Sequence, residues 1–267
     1  MGFLEALLLL AAGGLSGLLT GWLGVGGGII LVPVLSSVLH EAGASTLVAM
    51  HIAIGTSMLV AVVTSVAGIS TPLKEKQVEW RPALLLGGVG AAGALVGSAI
   101  AAGLEGSTLR KVVAAAVIYG AIAVLSPRRK GKKETVASGS TPGSIGMIAA
   151  CGVIASLAGV AEVFLVIPVF LSTLGIPLKK AVIAAGLTAA MIGAGGVIGY
   201  VIFGWGNEFL RGGSVGFVDF IRALPVAVGS VVAQRAGASL AVKSQGSTAR
   251  KIYALLLVVV GIDMFFF

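Results

Sequence analysis

Three features of this chain could do chemistry, and all three lie inside apolar sequence. The first is the run Gly24-Val25-Gly26-Gly27-Gly28 ahead of Pro33. Glycines at this density let the backbone leave a helical path, take φ > 0 and approach a ligand closely. The freed N–H groups and the positive N-terminal end of the helix that follows form an anion site without a buried lysine. The bland alternative is a tight hairpin that glycine merely packs. The second feature is Gly159-Val160-Ala161-Glu162, which precedes Pro168 as the first run precedes Pro33. A carboxylate at membrane depth costs about 2.5–3.5 kcal/mol on insertion scales. Glu162 is therefore expected to be paired, protonated or functional. It would bind a proton during a cycle, or set selectivity by repelling anions when ionised; its structural alternative is a neutral carboxyl on a backbone carbonyl. The third feature is a set of hydroxyls, Thr56, Ser57 and Thr188. These can donate to an oxyanion without adding charge, although the commoner fate of a membrane Ser or Thr is a bond back to its own helix.

The remaining reactive side chains form no catalytic constellation. His51 lies early in an apolar stretch, where a satisfied structural imidazole competes with a proton relay or coupling role. His40 stands beside Glu41, but neither histidine has metal-ligand spacing, and one cysteine, Cys151, cannot complete a zinc site. That same count excludes an internal disulfide. There is no Walker lysine, haem motif or nucleophile–base pair. The glycine cluster is not a dinucleotide fingerprint either, since no βαβ unit surrounds it. No cofactor, no metal and no enzyme activity are expected.

These residues sit in elements that only a bilayer can house. Of 267 residues 57% are hydrophobic and 10% charged, and the mean hydropathy is +1.09. Soluble domains carry roughly 25% charged residues, so most of this surface cannot face water. The net charge of +8 does not point to nucleic acid, because the basic residues gather in short connectors between apolar runs. The beginning, Met1-Gly2-Phe3-Leu4-Glu5, lacks the basic region of a signal peptide and reads as mature protein.

Apolar stretches fall at 3–39, 46–69, 82–104, 109–126, 144–173, 181–205, 217–240 and 249–267. A helical span needs about 20 residues; the first and fifth stretches exceed this and are interrupted at the two glycine features. The interruptions belong to an internal repeat. Setting Pro33 on Pro168 places Gly17 on Gly152, Gly24 on Gly159 and Ser37 on Ser172. Further on, Gly106-Ser107-Thr108-Leu109-Arg110-Lys111 parallels Gly246-Ser247-Thr248-Ala249-Arg250-Lys251, and Gly97 corresponds to Gly237. The halves are 1–126 and 144–267, joined by the basic linker 127–143. If each interrupted stretch returns to its starting side, Lys74, Lys76, Arg81, the linker, Lys179, Lys180, Lys243, Arg250 and Lys251 share one side. Only Arg110, Lys111, Arg211 and Arg222 then lie opposite, as the positive-inside rule prefers. The expected fold is an all-α polytopic membrane protein of two inverted repeats, each a broken or re-entrant helical hairpin plus three further transmembrane helices.

The tract Gly21-Trp22-Leu23-Gly24-Val25-Gly26-Gly27-Gly28-Ile29-Ile30-Leu31-Val32-Pro33-Val34-Leu35 resembles the N-terminal signature of TauE/SafE-type permeases. Ala53-Ile54-Gly55-Thr56-Ser57 resembles the Thr-Ser segment of their next helix, and the likeness covers essentially the whole chain. The resemblance implies a secondary carrier for sulfur-containing anions such as sulfite, sulfoacetate or another organosulfonate. The departure is Glu162, which stands where Gly27 stands in the first half and breaks symmetric coordination of a substrate.

The sequence reading is thus a multi-pass plasma-membrane transporter with a cytoplasmic linker. Its partners are the lipid bilayer and a small sulfur anion moved by alternating access, with a proton as the driving ion if there is one. Substrate would be lined by Gly24, Gly26, Gly27, Gly28, Thr56, Ser57, Gly159 and Thr188, with Glu162 and His51 tuning coupling or selectivity. An anion channel, or a membrane component of a sulfur relay using Cys151, are the alternatives. The sequence is compatible with an oligomer and sets no subunit number.

Overall fold

A computed structural model describes residues 2–23, 28–69, 80–125, 142–159, 163–172, 178–206, 213–243 and 247–266. The first half holds helices α1 (Phe3–Leu23), α2 (Gly28–Glu41), α3 (Thr46–Ile69), α4 (Trp80–Ala102) and α5 (Gly106–Leu125). The second holds α6 (Pro142–Ala158), α7 (Val163–Ser172), α8 (Leu178–Phe203), α9 (Phe220–Lys243) and α10 (Ser247–Phe266). Between α8 and α9 a short antiparallel hairpin pairs β1 (Ser214–Val215) with β2 (Val218–Asp219). The expected helical order is thus observed, with one correction. Residues 217–219, expected within a span, turn through this hairpin before the helix begins at Phe220.

Among the described residues four helices are long and apolar enough to cross a membrane: Phe3–Trp22, Val48–Ile69, Trp80–Ala102 and Lys180–Phe203. Their outward faces are greasy. On α10, Leu255, Val259 and Ile262 are exposed while Ala254, Leu257, Gly261 and Met264 are buried, the i, i+4, i+7 spacing of one helical face. Large apolar residues on the outer face suit hydrocarbon as solvent, since helices there associate through close packing rather than through exclusion of water.

Small residues set which helices meet. A side chain on Gly13, Gly17 or Gly21 of α1 would collide with backbone at Val226, Ser230 or Gln234 of α9, so these two helices run the same way in backbone contact. Gly93 and Gly97 of α4 meet Ala149 and Val153 of α6 in the same sense. The corresponding contacts repeat: Gly17 meets Ser230 and Gly152 meets Gly90, while Gly97 meets Val153 and Gly237 meets Leu18. Helix α4 also runs alongside α8, with Gly87 against Met191, Gly195 against Ala91 and Gly199 against Ser98. Helix α3 crosses α8 the opposite way, through Gly55 on Tyr200, Gly196 on Met58 and Gly186 on Ile69. Helices α1, α3 and α9 therefore begin on one face of the bundle; α4, α6 and α8 begin on the other.

Candidate functional site

Each half opens with two successive helices, α1 then α2 and α6 then α7. Helix α6 has 17 residues, about 25 Å, and ends at Gly159, whose φ of 71° lies in the left-handed region that favours glycine. Helix α7 follows, with Pro168 as its sixth residue; Pro33 is likewise the sixth residue of α2. At that position the missing N–H removes one i→i−4 hydrogen bond and frees a carbonyl in the first turn of each helix.

Gly159 is buried and touches both other elements of the expected site. A Cβ built on it would lie 2.7 Å from Val32 Cγ2 on α2 and 3.1 Å from Ile54 Cγ2 on α3. Val32 is one turn beyond Gly28, about 6 Å along the helix, so the end of the second interrupted hairpin lies beside the opening turn of α2. Ser57 Oγ donates to the Gly159 carbonyl at 2.9 Å, joining residues from the two halves. This bond leads to another helix rather than back to its own. Its neighbour Thr56 accepts from the Asp219 N–H at 2.9 Å, which fixes the β1–β2 hairpin to α3.

Of the other expected site residues, Gly28 is buried at the start of α2. Thr188 is buried but lies elsewhere: its hydroxyl donates to the Ala83 carbonyl of α4 at 3.1 Å. His51 is buried, with Nε2 2.9 Å from the Ala101 carbonyl. A carbonyl only accepts, so Nε2 carries the proton there. The His51 ring also faces Phe217, with centroids 4.9 Å apart. Gly24, Gly26, Gly27 and Glu162 lie outside the described residues, as does most of the 127–143 linker. No group of three or more His, Cys, Asp or Glu able to hold a metal occurs among the described residues.

Two polar groupings escaped the sequence reading. Tyr200 is fully buried and donates to the Ser156 carbonyl at 2.9 Å, in the last turn of α6. The Ser156 hydroxyl is itself buried without a hydrogen-bond partner among the described residues. The second grouping is ionic. Arg222 bridges Glu5 of α1 and Asp219 of the hairpin, 2.7 Å to each, and Asp219 Oδ1 accepts the Arg222 N–H at 3.0 Å. Asp219 thus caps α9 at its N-terminus. Arg222 is thus more than a charge on the face opposite the basic linker expected from sequence. The available signal was an Asp three residues before an Arg at a span's start.

A Haemophilus influenzae protein named "Probable membrane transporter protein" is 28% identical over 263 residues, covering 98% of this chain and 99% of its own. A Bacillus subtilis relative, "Probable membrane transporter protein YdhB", is 22% identical over 230 residues, 84% of this chain and 85% of its own. A Xylella fastidiosa "Probable membrane transporter protein" is 26% identical over 217 residues, 78% and 80% of the two chains. No solved structure matches. Residues 9–264 match the family described as sulfite exporter TauE/SafE, and the chain belongs to that family of membrane transporters.

Proposed function

We infer that this transporter is a secondary carrier that moves a small sulfur-containing anion, sulfite or an organosulfonate, across the plasma membrane by alternating access. The observation that carries the reading is the meeting of Ser57, Gly159 and Val32 one turn from Gly28. It sets the left-handed Gly159, the Ser57 side chain and the opening turns of α2 side by side, which supports a site near the positive end of that helix. The family described as sulfite exporters supports the choice of anion. On this reading Gly24, Gly26, Gly27 and Gly28 offer main-chain N–H groups and Thr56 a hydroxyl, while Ser57, whose O–H donates to the Gly159 carbonyl, holds the end of α6 beside them and Thr188 stays bonded to Ala83. Glu162 selects among anions by its charge and the coupling ion is a proton.

The architecture belongs to the same reading: two inverted repeats, 1–126 and 144–267, with the 127–143 linker cytoplasmic. Its support is the direction of the helices, for α1 and α6, α3 and α8, and α4 and α9 are matched in sequence yet begin on opposite faces. Such repeats supply two related conformations that expose one site alternately to each side.

The experiment is counterflow of radiolabelled sulfite in proteoliposomes. A carrier shows saturable uptake accelerated by unlabelled sulfite inside. Single-channel currents without counterflow would replace the carrier by a pore.

A further inference from the structure

The internal repeat and the hydrogen bonds disagree at one position, and the disagreement points to a second conformation. Setting Gly55 on Gly186 places Ser57 on Thr188, and setting Gly97 on Gly237 places Ala83-Leu84 on Ala223-Leu224. Thr188 donates to the Ala83 carbonyl and holds α8 on α4. Were the halves in one conformation, Ser57 would donate to the Ala223 carbonyl and hold α3 on α9. It donates to Gly159 instead.

The hairpin between α8 and α9 stands in the way. Phe217 sets its carbonyl against Gly55 and its ring against His51, and the Asp219 N–H reaches Thr56 Oγ1. Phe217, Val218 and Asp219 are all buried. The side chain of Asp219 is tied in another direction from its N–H. Arg222 and Glu5 bind Asp219 to α9 and α1, helices already in backbone contact with each other. Among the described residues the wedge is held to α3 by the Thr56 bond and apolar contact, and to α8 by the Phe217 N–H on the Tyr200 carbonyl at 2.9 Å. The α3 contact can release while the ionic clasp stays intact.

We propose that transport exchanges these two arrangements. Ser57 passes from the Gly159 carbonyl to the Ala223 carbonyl, the 214–219 hairpin lifts from α3, and Thr188 leaves Ala83. The hairpin is then the gate on the face where α1, α3 and α9 begin, and Thr56 is its latch. The proposal rests on the carrier reading, because two related halves that swap roles give two packings close in energy, and a substrate selects between them.

Two spin-label pairs on exposed positions report both interfaces: Leu85 with Val182 across α4–α8, and Leu224 with Val63 across α3–α9. Each pair is introduced as cysteines in a Cys151→Ala background and measured in nanodiscs. Thr56→Val removes the acceptor of a bond that only the wedged arrangement uses. It is expected to shorten the Leu224–Val63 distance and lengthen the Leu85–Val182 distance by about 5 Å, one helical turn. Thr56→Ser, which keeps the oxygen, leaves both where they were. Saturating sulfite on the otherwise unaltered protein is expected to move the pairs in the same opposed sense. An opposed shift in either arm supports the exchange. Its absence from both overturns it, and if Thr56→Val does not fold the sulfite arm decides. Counterflow on the same preparation keeps the readings apart: active counterflow without opposed shifts sinks the gate and leaves the carrier, whereas absent counterflow sinks the carrier.

Discussion

The α4–α8 and α3–α9 interfaces are equivalent by the repeat, yet they are built differently. Along α4–α8 backbone meets small side chains: Gly195 leaves no room beside the Ala91 carbonyl, and Gly199 none beside Ser98. The residue of α3 that corresponds to Gly195 is Thr64, whose hydroxyl bonds back to Val60 at 2.9 Å and Ala61 at 3.1 Å. Gly68, which corresponds to Gly199, meets the flexible Gln234 side chain rather than a fixed backbone. At the other end the β1–β2 hairpin separates α3 from the start of α9. One interface is a close seam and the other is a wedged joint. A repeated sequence therefore does not impose a repeated contact, because one side-chain methyl can decide whether backbones approach.

Substitutions can break or sharpen this contrast. The largest effect is expected at Gly195→Leu, which overpacks the seam and lowers stability by about 3 kcal/mol or more. Thr64→Leu on the wedged side should stay within about 1 kcal/mol. Thermal melting in detergent reads both, and equal losses would mean that the two joints are alike after all.

Next comes Arg222→Gln, which leaves Glu5 and Asp219 without their cation. About 2 kcal/mol is expected, below the 3–5 typical of a fully buried pair because the clasp keeps some exposure. Combining it with Glu5→Gln should recover part of the loss, and a purely additive double variant would speak against coupling through the guanidinium.

Gly159→Ala forces a side chain into left-handed backbone beside Val32 and Ile54. A cost of about 1–2 kcal/mol is expected, with a larger fall in counterflow than stability alone explains. Unchanged transport would remove Gly159 from the site.

The smallest pair is Ser57→Ala and Thr188→Val, each removing one interhelical bond worth about 0.6–1.7 kcal/mol. Melting should not distinguish them. Sulfite counterflow should, with Ser57→Ala the more damaging, because only Ser57 touches the interrupted hairpin. The reverse order would shift the site toward Thr188.

Much of this was legible beforehand. The ends of α1 and α6 at the glycine-bearing tracts, and the matched sixth-residue prolines of α2 and α7, followed from local composition. Gly28, Thr56, Ser57, Gly159 and Thr188, candidates from sequence alone, are all buried. The partners of the hydroxyls were not legible. Thr56 and Asp219 are 163 residues apart, and nothing in either neighbourhood names the other. The β1–β2 hairpin was hidden because Phe217-Val218 extends the apolar run of the next helix.

By itself the sequence determined a membrane-embedded helical chain and the order of its helices. Hydropathy and backbone propensity act over one or two turns and leave a periodic trace. Only the tertiary structure decided that α1 lies on α9, that α4 lies on α6, and that Ser57 and Thr188 bond different helices. In hydrocarbon every apolar face is equally at home against lipid or protein, so composition is silent about partners. The choice is made by steric fit between small residues and by the few polar groups that must find one another.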